Sequence, residues 1–255
     1  MLIVLDPGHG GRDPGACGNR LQEKDITLKL AKLVHDKLSK YEADVELSRE
    51  EDVTVELWER VTAANDAKAD FFCSLHVNAG GGTGFESYVF PGATRSRALQ
   101  EIIHRKVMTL LGPLGVAGAT RQAEYPAEAI PFKVSIDHLL QLPDRGQKLA
   151  RFYVLRYTKM PAVLLENLFI DNPVDASFLK IPRFLDNLAD VIAGGIASAL
   201  ALNQKSVWDP AGEVRRLKER GLLANYHDPG AAVTWGELAA VLNRILDREG
   251  CKCNQ

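Results

Sequence analysis

The sequence predicts an α/β fold: a single twisted, mostly parallel sheet flanked by helices on both faces, plus a small all-α C-terminal module. Three observations carry this. The apolar runs 2–5 and 162–165 and the mostly apolar run 71–75 have the length and character of strands buried on both faces, as in parallel sheets. Amphipathic stretches with helical spacing alternate with them. A short polar linker, 203–207, then divides a domain spanning 1–202 from a final stretch, 208–250, with its own helical pattern.

In chain order, Leu2-Ile-Val-Leu5 is the first strand, and Asp6-Pro7 with Gly8, Gly10 and Gly11 make an abrupt turn at its carboxyl end. A polar loop follows, then Glu23-Lys24-Asp25 opens a helix through Leu38, with Ile26, Leu30, Leu33 and Val34 on its apolar stripe. Residues 43–47 alternate as a strand, and 54–68 form an amphipathic helix facing inward through Val55, Leu57, Val61 and Ala64. The strand at 71–75 delivers His76-Val77-Asn78 before three glycines. Residues 84–90 read as a strand and 94–111 as a helix. Residues 112–144, with scattered Gly and Pro, read as a long excursion around the site. Its His138 reads as structural or solvent-exposed. Residues 152–155 and 162–165 read as two more buried strands, Asn172-Pro173 as a helix start, and 182–202 as a long helix closing the domain.

The chain has 255 residues, 46% apolar and 25% charged, and a net charge of −2, the profile of an ordinary globular protein. Near-neutrality leaves no electrostatic footprint for nucleic acid. No apolar run is long enough to span a bilayer, so membrane insertion is not expected. Met1 leads straight into a strand with no basic or cleavable leader, which predicts synthesis in the cytoplasm without a standard signal peptide. Cys17 and Cys73 are isolated, and Cys251-Lys-Cys253 lacks a second pair to complete a zinc knuckle.

The chemistry concentrates at strand ends. In open α/β sheets, ligands bind beyond the carboxyl ends of the strands. His9 and His76 each stand there beside a glycine-rich turn, and Glu23 stands at a nearby helix start. Alone, each has an ordinary reading: a surface histidine, a core histidine, a partner for the helix dipole. Together they have the composition of a zinc site with two histidines, one carboxylate and an open fourth position. Glu166 follows Ala-Val-Leu-Leu directly, where an unpaired carboxylate is costly. Facing the same cleft, it is a candidate general base for a zinc hydrolase.

These residues lie in ordered blocks: IVLDPGHGG, LQEKD, SLHVNA, DRG with FYVL, and TKMPAVLLENLFIDNPVD. Through them, residues 1–202 resemble the zinc-dependent N-acetylmuramoyl-L-alanine amidases, the type that includes bacterial autolysins and phage endolysins. The resemblance implies one zinc ion held by His9, Glu23 and His76, with Glu166 as the catalytic glutamate. It places Asn78 and Arg145 along the substrate cleft, Arg145 as a second electrophile. The implied reaction cuts the amide between N-acetylmuramic acid and L-alanine in peptidoglycan, the expected partner, once the enzyme reaches the wall through lysis or a membrane hole. Asn167-Leu168-Phe169 replaces the Cys or Ile-Gly common after this glutamate. Two other readings of the same residues are a zinc peptidase acting on the stem peptide and a non-catalytic wall-binding protein.

In the C-terminal stretch, residues 213–220 read as a helix stopped by Gly221. A second helix begins at Trp235, capped by Thr234 with Glu237 three residues on. Trp208, Leu217, Leu222, Trp235, Leu238, Val241 and Leu242 are candidates for a miniature core. The pattern resembles one S-layer-homology-type repeat. That implies either wall attachment or a dimerisation or packing element.

Overall fold

The computed structural model describes residues 1–112, 142–205, 210–221, 238–242 and 245. The chain divides into two compact units, Met1–Lys205 and Ser206–Gln255.

The first unit is built on a six-stranded sheet. In chain order its elements are β1 (Leu2–Pro7), the short ribbon β2 (Cys17–Gly18) and β3 (Leu21–Gln22), α1 (Glu23–Leu38), β4 (Asp44–Leu47), α2 (Leu57–Asp66), β5 (Phe71–Asn78) and β6 (Phe85–Val89). There follow α3 (Thr94–Leu111), β7 (Asp144–Leu149), α4 (Tyr153–Tyr157), β8 (Ala162–Phe169), α5 (Pro173–Leu179) and α6 (Pro182–Ala199). The strand order is β4-β1-β5-β8-β6-β7. The first four strands in that order run parallel, β6 runs antiparallel to β8, and β7 is parallel to β6. The predicted mostly parallel sheet is present.

Both faces are covered, which is why the central strands are apolar throughout. Ile3, Leu5, Phe71, Leu75, Val163 and Leu165 join the larger core cluster with Leu30 and Val34 of α1, Ile103 and Val107 of α3, and Leu188 and Ile192 of α6. The alternate residues Val4, Phe72 and Leu164 meet Val61 and Ala64 of α2 and Val154 and Leu155 of α4 in a smaller cluster. Period-two alternation thus sends half of each strand to each layer. The second face thins toward the carboxyl ends of the strands, where Asp6, Ser74, His76 and Glu166 follow in the same register and polar chemistry replaces packing.

Four expectations need correction. Leu57, expected on the inward face of the 54–68 helix, is 53% exposed at the first position of α2. Residues 152–155 are not a strand: Val154 and Leu155 belong to the one-turn helix α4, with Tyr153 and Tyr157 stacked at 4.5 Å on its outer side. A four-residue apolar run fits either structure, and the need to cover the second face of the sheet decided for helix. The excursion closes at Asp144 as expected, but Asp144–Leu149, for which no strand is expected, is an edge strand whose polar sequence hides its pairing with β6. Glu166 is not at the end of its strand. β8 continues to Phe169 past an irregularity in its pairing with β5, with Leu168 at φ 69°.

The readings of the 113–141 part of the excursion, of His138, and of Thr234, Trp208, Trp235, Cys251 and Cys253 lie outside the described residues. In the second unit, α7 (Pro210–Glu219) is a helix and residues 238–242 are helical. Of the residues expected to form the miniature core, Leu217 and Val241 are half-buried, while Leu238 and Leu242 are 40% and 49% exposed. A unit this small has little interior in which to cover them. Among the described residues, no helix is long and apolar enough to cross a membrane.

Candidate functional site

His9 stands in the turn just past β1 with a left-handed backbone, φ 62°. That conformation is costly for a residue with a side chain, and the surroundings must hold it. Two buried arginines do so. Arg60 of α2 donates from Nη1 to the Pro7 carbonyl at 2.7 Å and from Nη2 to the His9 carbonyl at 2.6 Å. Arg49 donates to the carbonyls of Pro7 and Gly8, both at 3.0 Å. Arg60 also forms a buried ion pair with Asp6 at 2.6 Å, while Ser48 and Ser74 donate to the same carboxylate. Burial pushes the Asp6 carboxyl upward, but the Arg60 charge and the hydroxyl donors more than offset it and hold it ionised.

Glu23 opens α1 and spends its side chain on the site rather than on the helix end. Its Oε2 lies 3.1 Å from His9 Nε2 and its Oε1 lies 2.9 Å from His76 Nδ1. The backbone amides of Ala16 and Val77 donate to the two carboxylate oxygens at 2.8 and 3.0 Å. The histidine rings meet edge to face, centroids 5.0 Å apart. Two glycines permit this closeness. A Cβ on Gly8 would lie 2.3 Å from His76 Cε1, and one on Gly15 would lie 2.6 Å from Glu23 Oε2.

The donor atoms of His9, Glu23 and His76 all lie within 4.8 Å of one another, a set able to hold a metal ion. Burial penalises the Glu23 carboxylate, yet hydrogen bonds from His76 and His9 pull its pKa far below the usual range. Burial likewise lowers His9, but Glu23 and then Asp13 raise it to about 9. Two imidazoles crowded around one ionised carboxylate therefore hold their protons more tightly than a free imidazole does. Asp13 Oδ2 sits 2.7 Å from His9 Nδ1 and orients the ring so that Nε2 faces Glu23. Sequence reasoning missed Asp13, although its spacing of four from His9 was a readable signal.

Glu166 pairs in register with His76 on one side and Glu86 on the other, so the three side chains leave the same face of the sheet. Its Oε2 is buried and has no hydrogen-bond partner among the described residues. Burial raises its pKa to about 7; the His76 charge opposes this, and the Glu23 and Glu86 charges assist it. Glu86, a second missed residue, is buried and anchors the next part of the cleft. Asn78 Nδ2 and the Tyr88 hydroxyl donate to its Oε1, both at 2.7 Å. Arg145 Nε donates to Oε2 at 2.7 Å, and Lys148 Nζ pairs with the same oxygen. Burial raises the Glu86 carboxyl, and Lys148, Tyr88 and Arg145 outweigh it and hold it ionised. The structure thus brings together all six residues singled out from the sequence: His9, Glu23, His76 and Glu166 directly, Asn78 and Arg145 through Glu86. Beside the histidines, a cavity of about 210 Å³ is lined by Thr54, Val55, Glu56, Leu57 and Arg60 as well as Asp13.

A family model described as N-acetylmuramoyl-L-alanine amidase matches residues 3–198. The chain is 42% identical over 209 residues to the sporulation-specific N-acetylmuramoyl-L-alanine amidase of Bacillus subtilis, covering 81% of this chain and 71% of that protein. It is 41% identical over 210 residues to the endolysin of Bacillus phage SPP1, covering 80% and 68%. Among solved structures, the catalytic domain of CwlV, an N-acetylmuramoyl-L-alanine amidase from Bacillus (Paenibacillus) polymyxa var. colistinus, superposes with a TM-score of 0.65. That pair is 31% identical over 79% of this chain and 99% of the other.

Proposed function

Since the chain belongs to the N-acetylmuramoyl-L-alanine amidase family, we propose that it uses zinc to hydrolyse the amide joining the lactyl carbonyl of N-acetylmuramic acid to L-alanine in peptidoglycan. His9, Glu23 and His76 would hold the ion, and Glu166 would handle the proton. One observation carries the reading: a convergent ligand set of two imidazoles and a carboxylate stands beside a buried carboxylate oxygen that, among the described residues, has no partner of its own. The donor set fits zinc, which takes histidine nitrogen and carboxylate oxygen together in hydrolases. Bound there, the ion would supply Lewis-acid activation of water and of the scissile carbonyl.

The remaining work falls to the chain. Glu166, with a pKa of about 7, accepts a proton from the attacking water and returns it to the alanine nitrogen as the C–N bond breaks. Asp13 keeps the His9 ring turned toward the ligand set. Arg145, partly exposed beside the cleft, offers a positive charge to the substrate. The unit 208–250 has the pattern of a wall-attachment element and would hold the enzyme on its substrate.

Digestion of purified peptidoglycan, with and without chelator, followed by mass analysis of the fragments, tests this. New L-alanine N-termini beside intact glycan, lost on chelation and restored by zinc, are the expected result. Cleavage inside the stem peptide would move the assignment to a peptidase. Wall binding with no fragments released would overturn the enzymatic reading.

A further inference from the structure

The open ends of the strands line up side chains in a row whose chemistry changes from one end to the other. The sheet order sets β1 and its His9 turn first, then His76 on β5, Glu166 on β8, Glu86 on β6 and Lys148 on β7. The register reinforces this: His76 pairs with Glu166, Glu166 with Glu86, and Tyr88 with Lys148. On the His9 flank lies the cavity walled by Val55 and Leu57. On the Glu86 flank, two cations converge on one carboxylate.

That convergence leaves a charge over. Glu86 is buried and already receives Asn78, Tyr88 and Arg145, so Arg145 alone would neutralise it. Lys148 adds a second positive charge, and the Arg145 and Lys148 side chains remain 35% and 37% exposed. The Arg145 guanidinium also rests 4.7 Å from the centre of the Phe169 ring and, among the described residues, forms a hydrogen bond only through Nε. The β6–β7 flank therefore offers the cleft one unneutralised positive charge and unused N–H donors, held in place by a buried anion.

The chemistry proposed above fixes which half of the substrate meets it. The scissile carbonyl must sit over His9, Glu23 and His76, and the leaving nitrogen must come within reach of Glu166. The direction from carbonyl to nitrogen thus runs from β5 across β8 toward β6 and β7. We propose that Lys148 and Arg145, set by Glu86, bind a carboxylate of the stem peptide just beyond the scissile amide, while the sugar lies on the His9 flank toward the cavity. This inference rests on the amidase reading and adds to it an orientation and a preference for acidic peptides.

The test compares wild-type protein with Lys148→Met on two synthetic substrates. Both are N-acetylmuramoyl-L-alanyl-glutamyl peptides, identical except that the glutamyl α-carboxyl is free in one and a carboxamide in the other. A charge-assisted hydrogen bond predicts a kcat/KM about tenfold higher for the free acid in the wild type. The preference should fall to within about twofold in Lys148→Met and return in Lys148→Arg. Lys148→Gln serves as a second neutral variant should the methionine fail to fold. A preference that survives both neutral substitutions, or that the wild type lacks, overturns the inference while leaving the amidase intact. A wild type that cuts neither substrate and releases nothing from whole wall overturns the reaction itself, and this inference with it.

Discussion

In the proposed reaction the chemistry turns on Glu166, whose surroundings suit a proton that comes and goes. A carboxylate in water sits near 4.5 and would return a proton poorly at neutral pH. Here burial brings the group to about 7, with Glu23 and Glu86 opposing its ionisation and His76 favouring it. Because the reactive form is the ionised one, turnover should decline about tenfold per pH unit on the acid side of that pKa. A bound cation favours the charged form, so the acid limb in the zinc-loaded enzyme should lie at or below about pH 7. Glu166→Ala should keep its zinc, because Glu166 is not among the ligands, yet lose turnover by at least a hundredfold. Metal content and hydrolysis measured on the same preparation check this. Substantial residual hydrolysis with full zinc would remove Glu166 from the role of base.

At the scale of elements, the β1 turn and α2 form one machine for presenting His9. The left-handed backbone at His9 persists because Arg60 and Arg49 clamp the three carbonyls of Pro7, Gly8 and His9 from below. Arg60→Met would leave the Asp6 carboxylate buried with only two hydroxyl donors. Breaking a buried pair from one side typically costs about 3–5 kcal/mol. An unfolding free energy from urea titration lowered by that amount, with weaker zinc retention in a chelator competition, is the expected outcome. Loss of stability with unchanged zinc affinity would reduce the clamp to a structural brace. This arrangement also shows why legibility from sequence was uneven. His9 and His76 stood out because each follows an apolar strand and stands near a glycine-rich turn, and Glu23 because it opens a helix. Glu86 lies in Phe-Glu-Ser-Tyr-Val, an alternation that looks like a half-exposed strand, and only register sets it opposite Glu166. The polar Asp144–Leu149 run gave no strand signal because an edge strand needs little apolar surface. The Ser87–His104–Asp144 chain, with contacts of 2.8 Å, ties the exposed Asp144 of that strand to the buried Ser87 and His104, far apart in sequence.

At the scale of the whole molecule, the question is how much of the chain the chemistry requires. Among the described residues, every member of both core clusters lies at or before Leu202, and residues 204 and 205 pair back with 40 and 41. The Lys205 amide donates to the Lys40 carbonyl at 2.7 Å, and Tyr41 bridges to Gln204. Among the described residues, the candidate ligand set, Glu166 and the β6–β7 cation pair all come from before that point. A chain ending at Lys205 should therefore unfold in one cooperative transition, because the burial that drives folding is complete within it. It should cut a soluble muramoyl peptide with kcat/KM within about twofold of the full chain. On insoluble wall the two should part. If the unit after Ser206 is an attachment element, the short form loses adsorption and its apparent rate falls, since tethering raises the local concentration of substrate. Equal activity of both forms on wall would leave that unit without a part in substrate capture, and concentration-dependent sedimentation of the full chain alone would identify it as a dimerisation element.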